Sequence, residues 1–408
     1  MIIRSSLSCE TCGSPHVVRI GMGQEERQSH RFACRGCSED IVVVLEVDYA
    51  RLGWRTILEE NAAPCEERED SHIVNLDANF LIPEDQQGVD LAFPRLGQMN
   101  KMAKAAPGGL VDLKNLSPKQ LGTRPFRRPD YAGEWKRLKK AWSLHRNGRD
   151  KLSRRQIEAA SQALYPDDPL TDLPDWIWRL TMGLCQSAYE QRLLDVIDVI
   201  RPAFPSEGMA LLSRHYDENM AAPRGGQYFE LMKAYFASYS EFAQVQFLLT
   251  RGLAIPDDHK ASSADFDSVR MFYGNTFEAF ADLTDILAFL NNLLTGRRFD
   301  MFESLTPKKY YGLDKSSRFN PFALNPAFIR LCEEADNQLR NASHHGKLVF
   351  ESGDQLIRYR TGKDGTGPEK VLTYTEYLQK CVRIFLQAMI LLRAELIICN
   401  QFGIRYPV

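Results

Sequence analysis

The chain has no run of about 18 apolar residues free of charge, which excludes a membrane-spanning helix of ordinary composition. It carries no G-x4-G-K-[ST] phosphate loop and no H-E-x-x-H, so nothing in it supports a nucleotide hydrolase of that class or a zinc protease. No segment repeats with a period of roughly 20 to 50 residues, which removes solenoids and propellers. Cysteine is scarce, nine in 408 residues, and this is far from the density of a disulfide scaffold. Four of the nine fall in two tight pairs, a usage that fits a reducing compartment. Met1 to Cys12 has one basic residue, Arg4, and no apolar run of signal-peptide length, so a cytoplasmic protein without a membrane span is expected. A net charge of −2 gives the chain as a whole no attraction for polyanions. With 44% hydrophobic residues the length suffices for two or three cores.

What is present begins with Cys9-Glu10-Thr11-Cys12-Gly13 and Cys34-Arg35-Gly36-Cys37, with 21 residues between the pairs. Strand-like runs at Val17–Ile20, His30–Ala33 and Ile41–Val47 surround them, the layout of a zinc ribbon over residues 1–50 in which four thiolates hold one tetrahedral Zn2+. Gly13 and Gly36 suit knuckle turns that need a positive φ. A closed four-thiolate site is structural and leaves no position open for catalysis; the alternative is a redox dithiol pair. His16 and His30 read as surface residues, and Cys65 and His72 as singletons without a role.

Residues 51–118 read as a β-containing extension, with strand-like Ile73–Leu76 and Phe80–Ile82, followed by a linker marked by Pro94, Pro107, Gly108 and Gly109. A basic and helical middle domain follows over 119–255. Its first part, Lys119 to Arg155, holds thirteen Lys or Arg against three acids. Lys136, Arg137, Lys139 and Lys140, with Tyr131, Trp135 and Trp142 interleaved, make it a candidate RNA-binding stretch with rings for bases to stack on. Trp135, Leu138 and Trp142 also share one helical face and would serve equally as core. Helical periodicity then runs from Trp176 to Ile200 and from Tyr228 to Leu249.

Pro256–Ser263 is polar and turn-rich, a plausible boundary before a helical domain at 262–403. Apolar residues from Val269 to Leu294 predict a long central bundle helix. Arg297 and Arg298 open a basic loop and join the candidate RNA contacts. Asn325-Pro326 supplies an N-cap and first turn, Phe328, Leu331, Ala335, Leu339 and Ala342 recur at helical spacing, and Gly346 stops the run. One helix over about 326–345 is predicted, with Arg340, His344 and His345 in its last turns. Leu348–Glu351, Gln355–Arg360 and Lys370–Thr373 predict a small hairpin with a third strand. Thr373-x-x-Glu376 is a capping box for a final helix through Leu396. The fold expected is mainly α: a helical bundle with a small β-hairpin, a helical middle domain and a β zinc ribbon.

An arginine and a histidine at one helix end offer phosphate binding and proton transfer. A guanidinium fork holds two phosphate oxygens and stays charged, and imidazole titrates near neutrality. Arg340-Asn341-x-x-x-His345 resembles the motif of HEPN domains, all-α domains many of which dimerise and cleave RNA without metal in antiphage and toxin systems. The resemblance covers 262–403. It implies a homodimer through that domain, a composite RNA-cleaving site across the two chains, no catalytic metal, and a phage or cellular trigger. It assigns phosphate stabilisation to Arg340, acid–base work to His345 and orientation of the site to Asn341. Helix geometry instead favours His344, about 40° from Arg340, where His345 is about 140° away; the family spacing favours His345. The alternative function is a non-catalytic scaffold with a degenerate HEPN dimer that docks nucleic acid or protein.

Overall fold

A computed structural model describes residues 1–23, 25–94, 130–250, 252–362 and 365–408, without the side chains of 186–188. The expected linker from residue 95 to Pro118, and Lys119, Arg124, Phe126, Arg127 and Arg128 of the basic stretch, lie outside the described residues.

Alternating and β-branched runs at the start of the chain fold as strands, because a pleated strand sends successive side chains to opposite faces. They are β1 (Ile2–Cys9), β2 (Pro15–Gly21), β3 (Arg27–Ala33), β4 (Asp40–Asp48), β5 (Gly53–Glu60), β6 (Ala62–Pro64), β7 (His72–Asp77) and β8 (Ile82–Pro83). One sheet has the order β6-β1-β2-β7, with β2 and β7 parallel, and another the antiparallel order β3-β4-β5. Leu7, Val18, Ile20, Ile41, Val43, Leu45 and Leu76 fill a small core of their own. Each cysteine pair sits at a turn, one between β1 and β2 and the other between β3 and β4. The expected ribbon and β extension thus form one β-rich unit.

The helices are α1 (Tyr131–Arg146), α2 (Asp150–Leu164), α3 (Leu173–Ile200), α4 (Glu207–His215), α5 (Ala221–Ala237), α6 (Tyr239–Leu249), α7 (Phe266–Val269), α8 (Phe272–Leu283), α9 (Asp285–Leu294), α10 (Pro307–Tyr311), α11 (Pro326–Leu331), α12 (Asn337–His344) and α13 (Tyr374–Phe402). Strands β9 (His259–Lys260), β10 (Val349–Glu351), β11 (Leu356–Arg360) and β12 (Glu369–Thr373) complete the list, the last three in one antiparallel sheet. About half of the chain is helical (51%), so mainly α holds only loosely. Helices on both sides of residue 250 share one continuous apolar core.

Two helix expectations change. The central helix is α13, started by the expected Thr373–Glu376 capping box and buried at every residue from Ile384 to Leu396. The Val269–Leu294 run is instead broken into α8 and α9 at Thr284, whose hydroxyl turns back to the Ala281 carbonyl. Two of the charges that interrupt α13 in sequence, Arg393 and Glu395, are buried and have partners, as buried charges must, whereas Arg383 is part-exposed. Arg393 meets Glu190 at 2.7 Å and lies over the Trp178 ring, and Glu395 receives Arg224 at 2.5 Å and the Tyr228 hydroxyl at 2.9 Å.

From His259 to Ala264 the polar stretch is a largely buried seam. Ser262 exchanges hydrogen bonds with the backbone of Asp77, Arg31 N donates to Ser263 Oγ at 3.1 Å, and Ala264 N donates to Arg31 O at 3.0 Å. On its helical side, Ala261 N donates to Thr375 Oγ1, and Gln244 Oε1 accepts from Ser262 N. Hydroxyls in this stretch thus satisfy backbone from two units at once, which is why a polar sequence can be buried. The carboxylate of Glu241, on α6, accepts from Tyr374 Oη at 2.7 Å and from Asp265 N at 3.3 Å, and burial pushes it up to about 7.

The native state therefore keeps a proton that an unfolded Glu releases near its ordinary value of about 4.3. Stability falls as pH rises from about 4.5 to about 7 and is flat above. His30, wholly buried and pushed down to about 4, gives the opposite slope in the acid part of that window. Comparison with Glu241→Gln isolates the carboxyl. In denaturant melts at pH 5 and pH 8, the wild type should lose up to about 3 kcal/mol relative to the variant on going to the higher pH. Parallel behaviour of the two proteins would show that Glu241 does not titrate there.

Candidate active site and metal centre

The two cysteine turns bring four sulfurs into one cluster, all within 4.8 Å of one another. Cys9 Sγ and Cys37 Sγ are 3.8 Å apart, and Cys12 Sγ and Cys34 Sγ 3.6 Å. Four ligands at about 2.3 Å from a tetrahedral Zn2+ stand about 3.8 Å from each other, whereas a disulfide needs about 2.05 Å. Cys9, Cys12, Cys34 and Cys37 thus fit a closed structural metal site, and zinc is the ion that such a thiolate set takes most readily. Gly13 has the positive φ expected of it (+74°), but in the second knuckle that conformation falls on Ser38 (+65°). Gly36 is needed for another reason: a Cβ there would run into the Ser14 hydroxyl of the first knuckle.

His16 and His30 are not at the surface; both are fully buried. His16 Nε2 accepts from Arg35 N at 3.1 Å, which leaves the proton on Nδ1 to donate to Ser14 O at 2.9 Å. One ring therefore ties the two knuckles together, and burial lowers its pKa and keeps it neutral. Asn61 braces the first knuckle: its Oδ1 accepts from Thr11 N and Thr11 Oγ1, and its Nδ2 donates to Asp40 O beside the second. Neither role was legible in the spacing, since every one of these partners but the Thr11 hydroxyl is a backbone group.

The helix predicted over 326–345 is two helices, α11 and α12, separated by residues 332–336. Asp336 caps the second, its Oδ1 accepting from Gln338 N at 2.9 Å and Leu339 N at 3.2 Å. The backbone groups freed by the break are met from neighbouring helices. Tyr273 Oη donates to Glu334 O and accepts from Asp336 N, and Gln387 Oε1 accepts from Glu334 N. The C-terminal end is as expected from Gly346. Its φ is +63°, Lys347 N donates to Ala342 O at 3.0 Å and Gly346 N to Ser343 O at 3.5 Å, a Schellman ending.

Helix α12 lies against α8, seated by buried Leu339 and Ala342 and by Ser343 Oγ, which donates to Arg270 O at 2.8 Å. The two helices meet in matched pairs one turn apart. Arg340 Nε donates to Glu278 Oε1 at 2.5 Å, and His344 packs on Gly274, where a Cβ would stand 3.0 Å from its Nε2. Arg340 Nη1 also donates to Asn341 Oδ1 at 2.7 Å, and the guanidinium lies over the buried Phe277 ring, 5.9 Å from its centroid. His344 Nε2 is buried with no partner among the described residues. His345, the C-cap of α12, is exposed.

Arg340, Asn341 and both histidines therefore share one short helix end, but they do not point one way. Arg340 and His344 face α8, and His345 faces outward. Glu278 was missed from sequence, although it and Asp282 are the only acids in a mostly apolar α8.

Of the candidate RNA contacts, Lys136, Arg137, Lys139 and Lys140 are exposed along α1. The aromatic half of that reading fails, because Tyr131, Trp135 and Trp142 are 8%, 4% and 0% exposed. Trp135 stacks on Phe236 and Trp142 meets Phe229 edge-on, so these rings are core. Arg298 is paired with Asp300 at 2.7 Å, Arg297 is half-buried, and neither shares a hydrogen bond or ion pair with α12 among the described residues. No helix among the described residues is long and apolar enough to cross a membrane. No family model, no curated protein and no solved structure matches the chain.

Proposed function

We propose that the chain is a metal-independent endoribonuclease of HEPN type, an antiphage or toxin effector, whose cleavage site is completed by a second copy. The observation that carries this is the end of α12: a guanidinium fixed by Glu278 and Asn341 beside a solvent-facing imidazole. In this reading His345 takes the proton from an RNA 2′-hydroxyl, whose oxygen attacks the adjacent phosphorus. The bond to the 5′-oxygen breaks, that oxygen receives a proton from the His345 of the second copy, and a 2′,3′-cyclic phosphate remains. Arg340 neutralises the phosphate as its charge grows. Nε, Nη1 and Nη2 each engage Glu278 or Asn341, and a guanidinium has five N–H groups, so two N–H groups are left for phosphate oxygens. The metal at the four cysteines has a structural part only.

That same engagement favours the second reading, a non-catalytic scaffold. There the Arg340–Glu278 ion pair simply holds α12 on α8, and the basic surface of α1 docks nucleic acid. Incubation with total RNA in EDTA, with zinc content checked before and after, separates the two. The nuclease reading expects fragments ending in 2′,3′-cyclic phosphate and a dimer by mass in solution. Intact RNA from a dimer that still binds it would leave the scaffold, and a strict monomer would deprive the site of its second half.

A further inference from the structure

The helical hairpin of α1 and α2 has its aromatic side chains turned inward and its cations turned outward. Lys136, Arg137, Lys139 and Lys140 on α1, Arg149 between the helices, and Lys151, Arg154 and Arg155 on α2 are all exposed. None of these eight side chains makes an ion pair or hydrogen bond with a described residue. Several surface arginines elsewhere are paired: Arg27 with Glu46 and Glu59, Arg55 with Glu46, Arg68 with Asp70. The acids of the hairpin do little to offset the eight. Glu134 is turned inward, accepting from Tyr165 Oη and Trp176 Nε1, and Asp150 is taken by His145 at 2.8 Å. Glu158 alone stands exposed among them without a partner of its own.

No Tyr or Trp ring of the hairpin is free to receive a base, and the exposed His145 ring is held at its edge by Asp150. Tyr131, Trp135 and Trp142 are buried, and Tyr165 gives its hydroxyl to Glu134 and its face to the Arg179 guanidinium at 5.2 Å. Recognition of unpaired bases needs stacking platforms or hydrogen-bond edges, and recognition of backbone needs only positive charge. We infer that the exposed faces of α1 and α2 are a docking surface for the nucleic-acid phosphate backbone that reads neither sequence nor strandedness. Duplex RNA, duplex DNA and single strands are held alike. This deepens the reading of Lys136 to Lys140 as an RNA dock, and it differs from the stacking dock that the interleaved aromatics suggest in sequence. Selection of RNA for cleavage then falls to the α12 site, where a 2′-hydroxyl is a reactant.

The test is binding alone, in the Arg340→Ala full-length protein, so that absence of cleavage does not decide it. Labelled 20-nucleotide probes are compared by fluorescence anisotropy: mixed-sequence RNA, oligo(U), an RNA duplex and a DNA duplex. Their dissociation constants should agree within about fivefold at one salt concentration. With about four phosphates engaged, affinity falls roughly 50- to 150-fold between 50 and 200 mM salt. Charge reversal at Lys139, Lys140, Arg154 and Arg155 should weaken all four at least tenfold. The neutral Lys140→Gln change should lower the salt slope by about one with the melting temperature unchanged. Preference for one probe by more than tenfold would overturn the inference. So would unchanged binding by the charge-reversed protein, or binding to anionic phospholipid vesicles with no binding to any nucleic acid.

Discussion

His345→Ala should reduce RNA cleavage by at least about 100-fold, the lower end of what a positioned acid–base group contributes, while His344→Ala keeps most of the activity. The two rings are adjacent in sequence but not in environment. His344 is half-buried against Gly274 with Nε2 enclosed, and a substrate would have to part α12 from α8 to reach it. His345 stands at the C-cap in solvent, where a phosphodiester and a second chain have access. Losing the His344 ring should instead appear as about 1 kcal/mol of stability, the usual scale for a lost packing contact. Melting curves and RNA cleavage, measured on both variants, make the distinction. An inactive His344→Ala protein beside an active His345→Ala protein would transfer the role to the ring that shares a face with Arg340. Equal activity of both with the wild type would remove the nuclease reading altogether.

What could be read from the sequence was what local chemistry dictates. The two C-x-x-C turns, the Thr373–Glu376 capping box and the Gly346 stop each depend on residues a few positions apart, and each is present. The 28-residue α3 follows its apolar period from Trp176 to Ile200. Where reading fell short, a distant group decided the outcome. Asp336 caps a new helix because Tyr273 and Gln387 satisfy the backbone that the break exposes. Without those partners the period from Phe328 to Ala342 would favour one continuous helix.

The same holds for charge and for rings. Glu278 acquires meaning only when α8 is laid against α12, and Trp135 and Trp142 are settled as core only by Phe229 and Phe236 from α5. His16 looks like any surface histidine until the knuckles on either side of it are folded together. Turn-rich composition at 256–263 suggested a boundary, and the hydroxyls that made it polar are the ones that stitch the β-rich unit to the helices.

Cys34→Ser should release the metal and unfold the β-rich unit while leaving the helices folded. The sandwich core there is small, a handful of Val, Ile and Leu side chains between short strands. Closing two knuckles over one ion is worth far more: about 10–16 kcal/mol of zinc-binding energy in small zinc domains, against the 5–15 kcal/mol that stabilises a whole typical domain. Cys34 is buried with its backbone in the knuckle turn, so serine there removes a thiolate without relieving the three that remain. Without the ion, the three remaining cysteines no longer tie the two knuckles together. Metal analysis should find about one zinc per wild-type chain and almost none in the variant. Hydrogen exchange should then show β1 to β4 unprotected and α13 still closed, because the helical core meets the β-rich unit mainly through the seam at 259–265, with Phe80 on Phe247 and Ser352 Oγ on Ser38 O beside it. Gly36→Ala serves as a second probe. It keeps all four cysteines but forces the Ser14 hydroxyl away and crowds Cys12 Sγ, 3.2 Å from the added Cβ, so its zinc should be held but yielded to a chelator at least tenfold faster. Full protection of β1 to β4 in metal-free wild-type protein would mean that His16, Asn61 and the strand pairing close the knuckles unaided, and the cysteines would then need another purpose.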